Sequence, residues 1–235
     1  RRAGSAFLGS LATLVSPIAE RAILGLSDYV ITVSPSLRSA VIKESGKPEE
    51  RVFVAYNFVP TTVEEPSSFD EDFATIRKTK ETVVMYFGHL QPQVRGIEIV
   101  LKAFTLLPSE TCHLVLMGEV QNRGYFQRLL SEWGLLDRVS LLEPQPKNIA
   151  LAYLRRVDFG ILGPHPYYAL PGKLFDYMYT GTRIIIPASM TDALEIVGTD
   201  AIVYEKYEDL AEIIRQRSVG GVARASRELI TSVGV

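Results

Sequence analysis

From Glu81 to Arg217 short apolar runs alternate with amphipathic stretches of about ten residues, and this alternation constrains the fold more than any other feature. The runs are Val83–Gly88, His113–Gly118, Arg138–Leu142, Phe159–Leu162, Arg183–Pro187 and Ala201–Tyr204. Between and after them, helices are expected at Gly96–Leu107, Tyr125–Trp133, Asn148–Arg155, Leu174–Tyr179, Tyr207–Arg217 and Val222–Thr231. Strands alternating with helices in this way make βαβ units. The expected fold class is therefore α/β, a Rossmann-like parallel sheet with helices on both faces and right-handed crossovers. Ligands of such sheets bind at the carboxyl ends of the strands, where the loops 88–96, 118–124 and 163–172 would meet.

The stretch VDFGILGPHPYYALPGKLFDYMYTGTRIIIP, Val157–Pro187, carries the most chemistry. A strand runs into a loop of Gly, Pro, His and Tyr, and Pro171-Gly172-Lys173 then opens a helix that Gly181 stops. A helix N-terminus presents unpaired N–H groups and partial positive charge. With an exposed Lys173 beside it, the joint is a candidate anion site, most naturally for phosphate. Asp176, one turn further in, is spaced to face a sugar hydroxyl. Glycines at 88, 96 and 172 would let the backbone approach a ligand closely. The joint is not a P-loop, because Leu174 follows the lysine where Ser or Thr belongs.

Ahead of Glu81, a helix is expected over Phe7–Leu24, and Asp28–Ser34 reads as a strand. Ser36 reads as the N-cap of a helix that Gly46 stops, and Arg51–Tyr56 as another strand. Residues 61–82, polar and charged, read as a linker between a remnant domain (1–60) and the main domain (83–235). Within the linker Asp70-Glu71-Asp72 reads as a solvated charge run, and the three histidines lack metal-ligand spacing, so no metal site is expected. A net charge of −2 over 235 residues gives no electrostatic case for nucleic acid. The single cysteine, Cys112, lies in an apolar run and fits a buried thiol and a reducing cytoplasm. No stretch reaches the ~18 apolar residues of a membrane span.

The ordered set of motifs resembles the retaining, two-Rossmann (GT-B) glycosyltransferases of the large family four. DYVITVSPSLRSAVIKESG and RVFVAYNFVP, between Asp28 and Pro60, are similar to the end of that family's first domain. VMYFGHLQPQVRGIEIVLKA, HLVLMGE, VSLLEPQ and the 157–187 stretch follow the landmarks of its donor-binding domain. The resemblance covers roughly Asp28 to Glu195.

The resemblance implies transfer of a sugar from a nucleoside-diphosphate sugar to a glycan, lipid-linked or small-molecule acceptor, with retention and without a metal or other cofactor, as in polysaccharide biosynthesis. Arg95 and Lys173 would stabilise the leaving diphosphate, with Gly88, His89, Gly96, Gly118, Gly172 and Leu174 around it. Asp176 would take the ribose hydroxyls, Glu143 and Gln145 would border the base, and His165 and Tyr168 the sugar. Two places depart from the family pattern. Gly88-His89 stands for Gly-Arg, and Tyr168 stands where many members have the first of two glutamates. The form Pro171, Lys173, Asp176-Tyr177 resembles a subgroup that lacks that first glutamate. Most of the acceptor domain is expected to be missing from this chain, and with it any peripheral contact with the inner face of a membrane. The rival readings are a non-catalytic nucleotide-sugar-binding domain and a sugar-nucleotide epimerase of the same architecture.

Overall fold

The computed structural model describes residues 19–57, 62–91, 96–165 and 168–216. It divides into two compact units at Tyr56/Asn57. The expected helix 222–231 and most of the expected helix 7–24 lie outside the described residues.

The first unit holds a helix α1, described over 19–26, and two parallel strands, β1 (Val30–Thr32) and β2 (Val52–Val54), joined through α2 (Pro35–Ser45). The helix is capped by Ser34, not by Ser36. Pro35 takes the first turn, where a missing N–H costs nothing, so the cap falls one residue before it, and Ser34 Oγ accepts from Leu37 N at 3.1 Å. Gly46 ends the helix at φ 67°. β2 pairs with β1 in a sheet separate from the larger one.

In the second unit every strand of a six-stranded sheet is parallel to its neighbours. They are β3 (Thr82–Phe87), β4 (Cys112–Met117), β5 (Val139–Leu142), β6 (Phe159–Ile161), β7 (Arg183–Pro187) and β8 (Ile202–Tyr204). The spatial order is β5-β4-β3-β6-β7-β8. The chain thus winds outward from β3 in one direction, returns to lay β6 on the other side of β3, and winds outward again. The helices are α3 (Glu71–Thr79), α4 (Ile97–Phe104), α5 (Arg123–Glu132), α6 (Lys147–Leu154), α7 (Gly172–Thr180), α8 (Thr191–Val197) and α9 (Tyr207–Gln216). The strands are mainly apolar because both faces are covered: Val84, Leu114, Leu116, Phe159, Ile161 and Ile185 lie in the core with Leu101 and Phe104 of α4 and Leu210 and Ile214 of α9, and Val83, Met85, Val115 and Met117, which alternate with them, are fully buried too.

The segment 61–82 was expected to be a linker, and it belongs to the second unit. Asp70 is the N-cap of α3, its Oδ1 accepting from the amides of Asp72 and Phe73, so the acidic triplet is a helix start with charges suited to the dipole. Phe73 and Ile76 are buried, Phe73 lies 4.7 Å from the Tyr153 ring, and Arg77 pairs with Asp158 at 3.0 Å. Two apolar residues at i, i+3 suffice to dock a helix that composition alone marks as solvated. α8 was not foreseen either, since no capping side chain announces it. No helix among the described residues is long and apolar enough to cross a membrane.

Candidate functional site

β3 and β6 are neighbours whose onward connections run in opposite directions, and a crevice opens at their carboxyl ends. Their pairing stops at Met85↔Gly160. The chain leaves β3 through Gly88 at φ 128° and leaves β4 through Gly118 at φ 151°. A Cβ on Gly118 would stand 2.0 Å from the Gly88 carbonyl oxygen, so the two loops meet backbone to backbone. Leu90 N donates to Glu119 O and Gln121 N to Leu90 O, which continues the contact past the strands.

From the other side the loop after β6 runs to Pro171, which precedes the first turn of α7. Pro171 offers no capping side chain, and Asn57 Nδ2 donates to Leu170 O at 2.9 Å to hold the approach. A cleft of about 210 Å³ lies between these segments, lined by Tyr86, Phe87, Gly88, His89, Lys147, His165, Pro171, Gly172, Lys173 and Asp176. Lys173 was expected to be exposed. It is half-buried instead, with Nζ 3.6 Å from the centre of the Tyr86 ring and 3.3 Å from where a Gly88 Cβ would sit. One turn on, Asp176 has a side chain only 3% exposed, and Lys147 Nζ reaches it from α6, 3.0 Å from Oδ1. The contact is an ion pair between a half-buried ammonium and a buried carboxylate. Burial raises the Asp176 carboxyl above the usual range, and Lys147 and Lys173 pull it back. His165 Nδ1 donates to the Gly163 carbonyl at 2.7 Å, because a carbonyl can only accept; Nε2 is the acceptor in the neutral ring. His89 pairs with Glu119 at 3.2 Å on the exposed rim.

Of the residues expected at the site, Gly88, His89, His165, Gly172, Lys173 and Asp176 are brought together. Gly96 and Gly118 shape the loops behind the cleft: a Cβ on Gly96 would strike the Pro164 ring at 2.5 Å. Leu174 is a fully buried core residue. Glu143 sits on the surface, paired with Arg123 at 2.6 Å, while Gln145 is half-buried and Tyr168 lies in an exposed turn; none of the three lines the cleft as described. Arg95 lies outside the described residues. The charged group that sequence reading missed is Lys147, a lone lysine after Pro146 whose partner is 29 positions away. No group of three His, Cys, Asp or Glu that could hold a metal is gathered among the described residues.

Fold and crevice together define a doubly wound, Rossmann-like α/β protein with its cleft at the switch point. The sequence profile of the family described as glycosyl transferases group 1 matches residues 81–217, more than half of the chain, and the chain belongs to that family. It is 26% identical over 182 residues to an uncharacterized glycosyltransferase of Methanocaldococcus jannaschii, a match that spans 73% of this chain and 45% of that protein. Among solved structures, the Anabaena protein HepE in complex with UDP and glucose superposes with a TM-score of 0.69 at 19% identity, over 88% of this chain and 61% of that one. Sucrose-phosphate synthase from Thermosynechococcus elongatus gives a TM-score of 0.71 at 22% identity, over 92% and 57%. The chain therefore spans between about half and three-fifths of the length of these relatives.

Proposed function

We propose that this chain is the donor-binding part of a glycosyltransferase that moves a sugar from a nucleoside-diphosphate sugar to an acceptor, with retention of configuration. The observation that carries the reading is the meeting of Lys173 and the buried Asp176 with the Gly88 backbone in one cleft at the switch point. A diphosphate there meets the Lys173 ammonium and the N–H groups that open α7, and it needs no metal to offset its charge. Asp176 is a buried acceptor that a ribose hydroxyl satisfies. His165, which lines the cleft, faces the sugar. The UDP held by HepE, a structure of the same fold, supports this choice of ligand class.

One observation favours a second reading, a nucleotide-sugar-binding domain without transferase activity. Where the family carries an arginine, His89 lies against Glu119, so the rim gains a carboxylate as well as a weaker base. Calorimetric titration with UDP separates binding from its absence. Charge-assisted hydrogen bonds contribute about 1.5–3 kcal/mol, so Lys173→Met should weaken UDP by roughly tenfold or more. A parent that binds no nucleoside diphosphate contradicts the reading, and a full-length protein that binds UDP-sugars but transfers none selects the second one.

A further inference from the structure

The structure assigns Lys147 as the positioning residue that keeps Asp176 ionised and aimed as a hydroxyl acceptor in the cleft; the assignment rests on the nucleotide-sugar reading above. Asp176 lies on the floor with a side chain 3% exposed, where a carboxylate loses most of its hydration. Such a group protonates unless a cation stands beside it, and a protonated acid is a poor partner for a hydroxyl that must donate. Lys147 supplies that cation from a different helix. It starts α6, its stem crosses to α7, and its Nζ is 3.0 Å from Asp176 Oδ1. The lysine is 38% exposed, so its own ammonium stays hydrated while it neutralises the buried partner. Oδ1 itself is sealed from solvent, so Lys147 fixes the carboxylate from the protein side while Asp176 lines the cleft. The other charged or titratable groups lining the cleft are Lys173 from α7, Tyr86 from β3, and His89 and His165 from the loops. Lys173, stacked on Tyr86, also draws the Asp176 carboxyl down from a distance, and Lys147 makes the ion pair with it.

The test is the UDP dissociation constant of Lys147→Met divided by that of the parent, measured by calorimetry at about pH 8 and about pH 5.5. Dividing by the parent removes every pH effect that the two proteins share. Without Lys147 the Asp176 carboxyl rises further and becomes protonated as pH falls, so the ratio should grow by roughly tenfold from the higher pH to the lower. Lys147→Arg should restore a flat ratio. In an Asp176→Asn background, Lys147→Met should give no pH-dependent change. Carboxyl-carbon NMR of Asp176 without nucleotide should show its pKa rise in Lys147→Met, and Lys147→Gln serves the same comparison should the Met variant misfold. A ratio independent of pH, or one that grows toward high pH, would overturn the assignment and make Lys147 a counter-charge for phosphate. A parent that fails to bind UDP refutes the nucleotide reading and the assignment together, whereas a binding parent with an unresponsive variant refutes the assignment alone.

Discussion

Removing one hydroxyl, in Tyr177→Phe, tests how the crevice is held open. Tyr177 is fully buried, and its ring packs on Gly160, where even a methyl would come within 2.7 Å of it. Its hydroxyl stands just beyond the last β3–β6 pair, accepting from Phe87 N at 3.2 Å and facing the carbonyls of Ile161 at 3.2 Å and Met85 at 3.4 Å. The hydroxyl thus replaces the rungs that the strands lose as they part. Phenylalanine keeps the ring and makes no cavity, but it removes the partner of the part-buried Phe87 N–H and of the buried Ile161 carbonyl. An unsatisfied buried group costs about 1–3 kcal/mol, and for a chain of this size each kcal/mol lowers Tm by roughly 2–4 °C. Urea unfolding should therefore show a lower midpoint with an unchanged slope, a loss of about 1–3 kcal/mol. UDP should also bind several-fold more weakly, because Phe87 and Gly88 line the cleft. A variant within about 0.5 kcal/mol of the parent, with the same UDP affinity, would show that the hydroxyl does not set the parting of the strands.

Gly118→Ala should be severely destabilising, by at least about 3 kcal/mol in urea unfolding, since its Cβ would sit 2.0 Å from the Gly88 oxygen on a backbone at φ 151°. A variant as stable as the parent would show that the loops can separate freely. His113, on β4, is bonded to Ser140 at 2.9 Å and pushed by burial from 6.5 down to about 4. The folded chain therefore resists a proton that the unfolded chain accepts, so stability present above pH 6.5 is lost as pH falls toward 4. The loss is on the order of 3 kcal/mol at 1.36 kcal/mol per unit. Urea unfolding of His113→Gln across that interval should show a correspondingly shallower acid limb, and an identical limb would contradict the assignment.

The sheet was legible because its six strands are mainly apolar runs, broken only by single polar residues such as His113 and Ser140, and they recur at helix-length spacings. Lys173 and Asp176 were legible for a local reason, since Pro-Gly-Lys after a strand marks the start of a helix facing the carboxyl edge. Lys147 was not, because its meaning depends on α6 and α7 lying side by side, a tertiary fact with no spacing signal. α3 hid behind its charges, although Phe73 and Ile76 are the anchors that dock it. Glu143 and Gln145 sit in the loop the resemblance names, yet the structure turns Glu143 outward to Arg123, so resemblance located the loop and not the direction of its side chains.

The most direct test of the account is a crystal structure of this protein soaked with UDP. The diphosphate should lie within hydrogen-bond distance of Lys173 Nζ and the first N–H groups of α7, with a ribose hydroxyl on Asp176. Nucleotide bound away from the crevice between β3 and β6, or bound there with its phosphates turned away from Lys173, would contradict it.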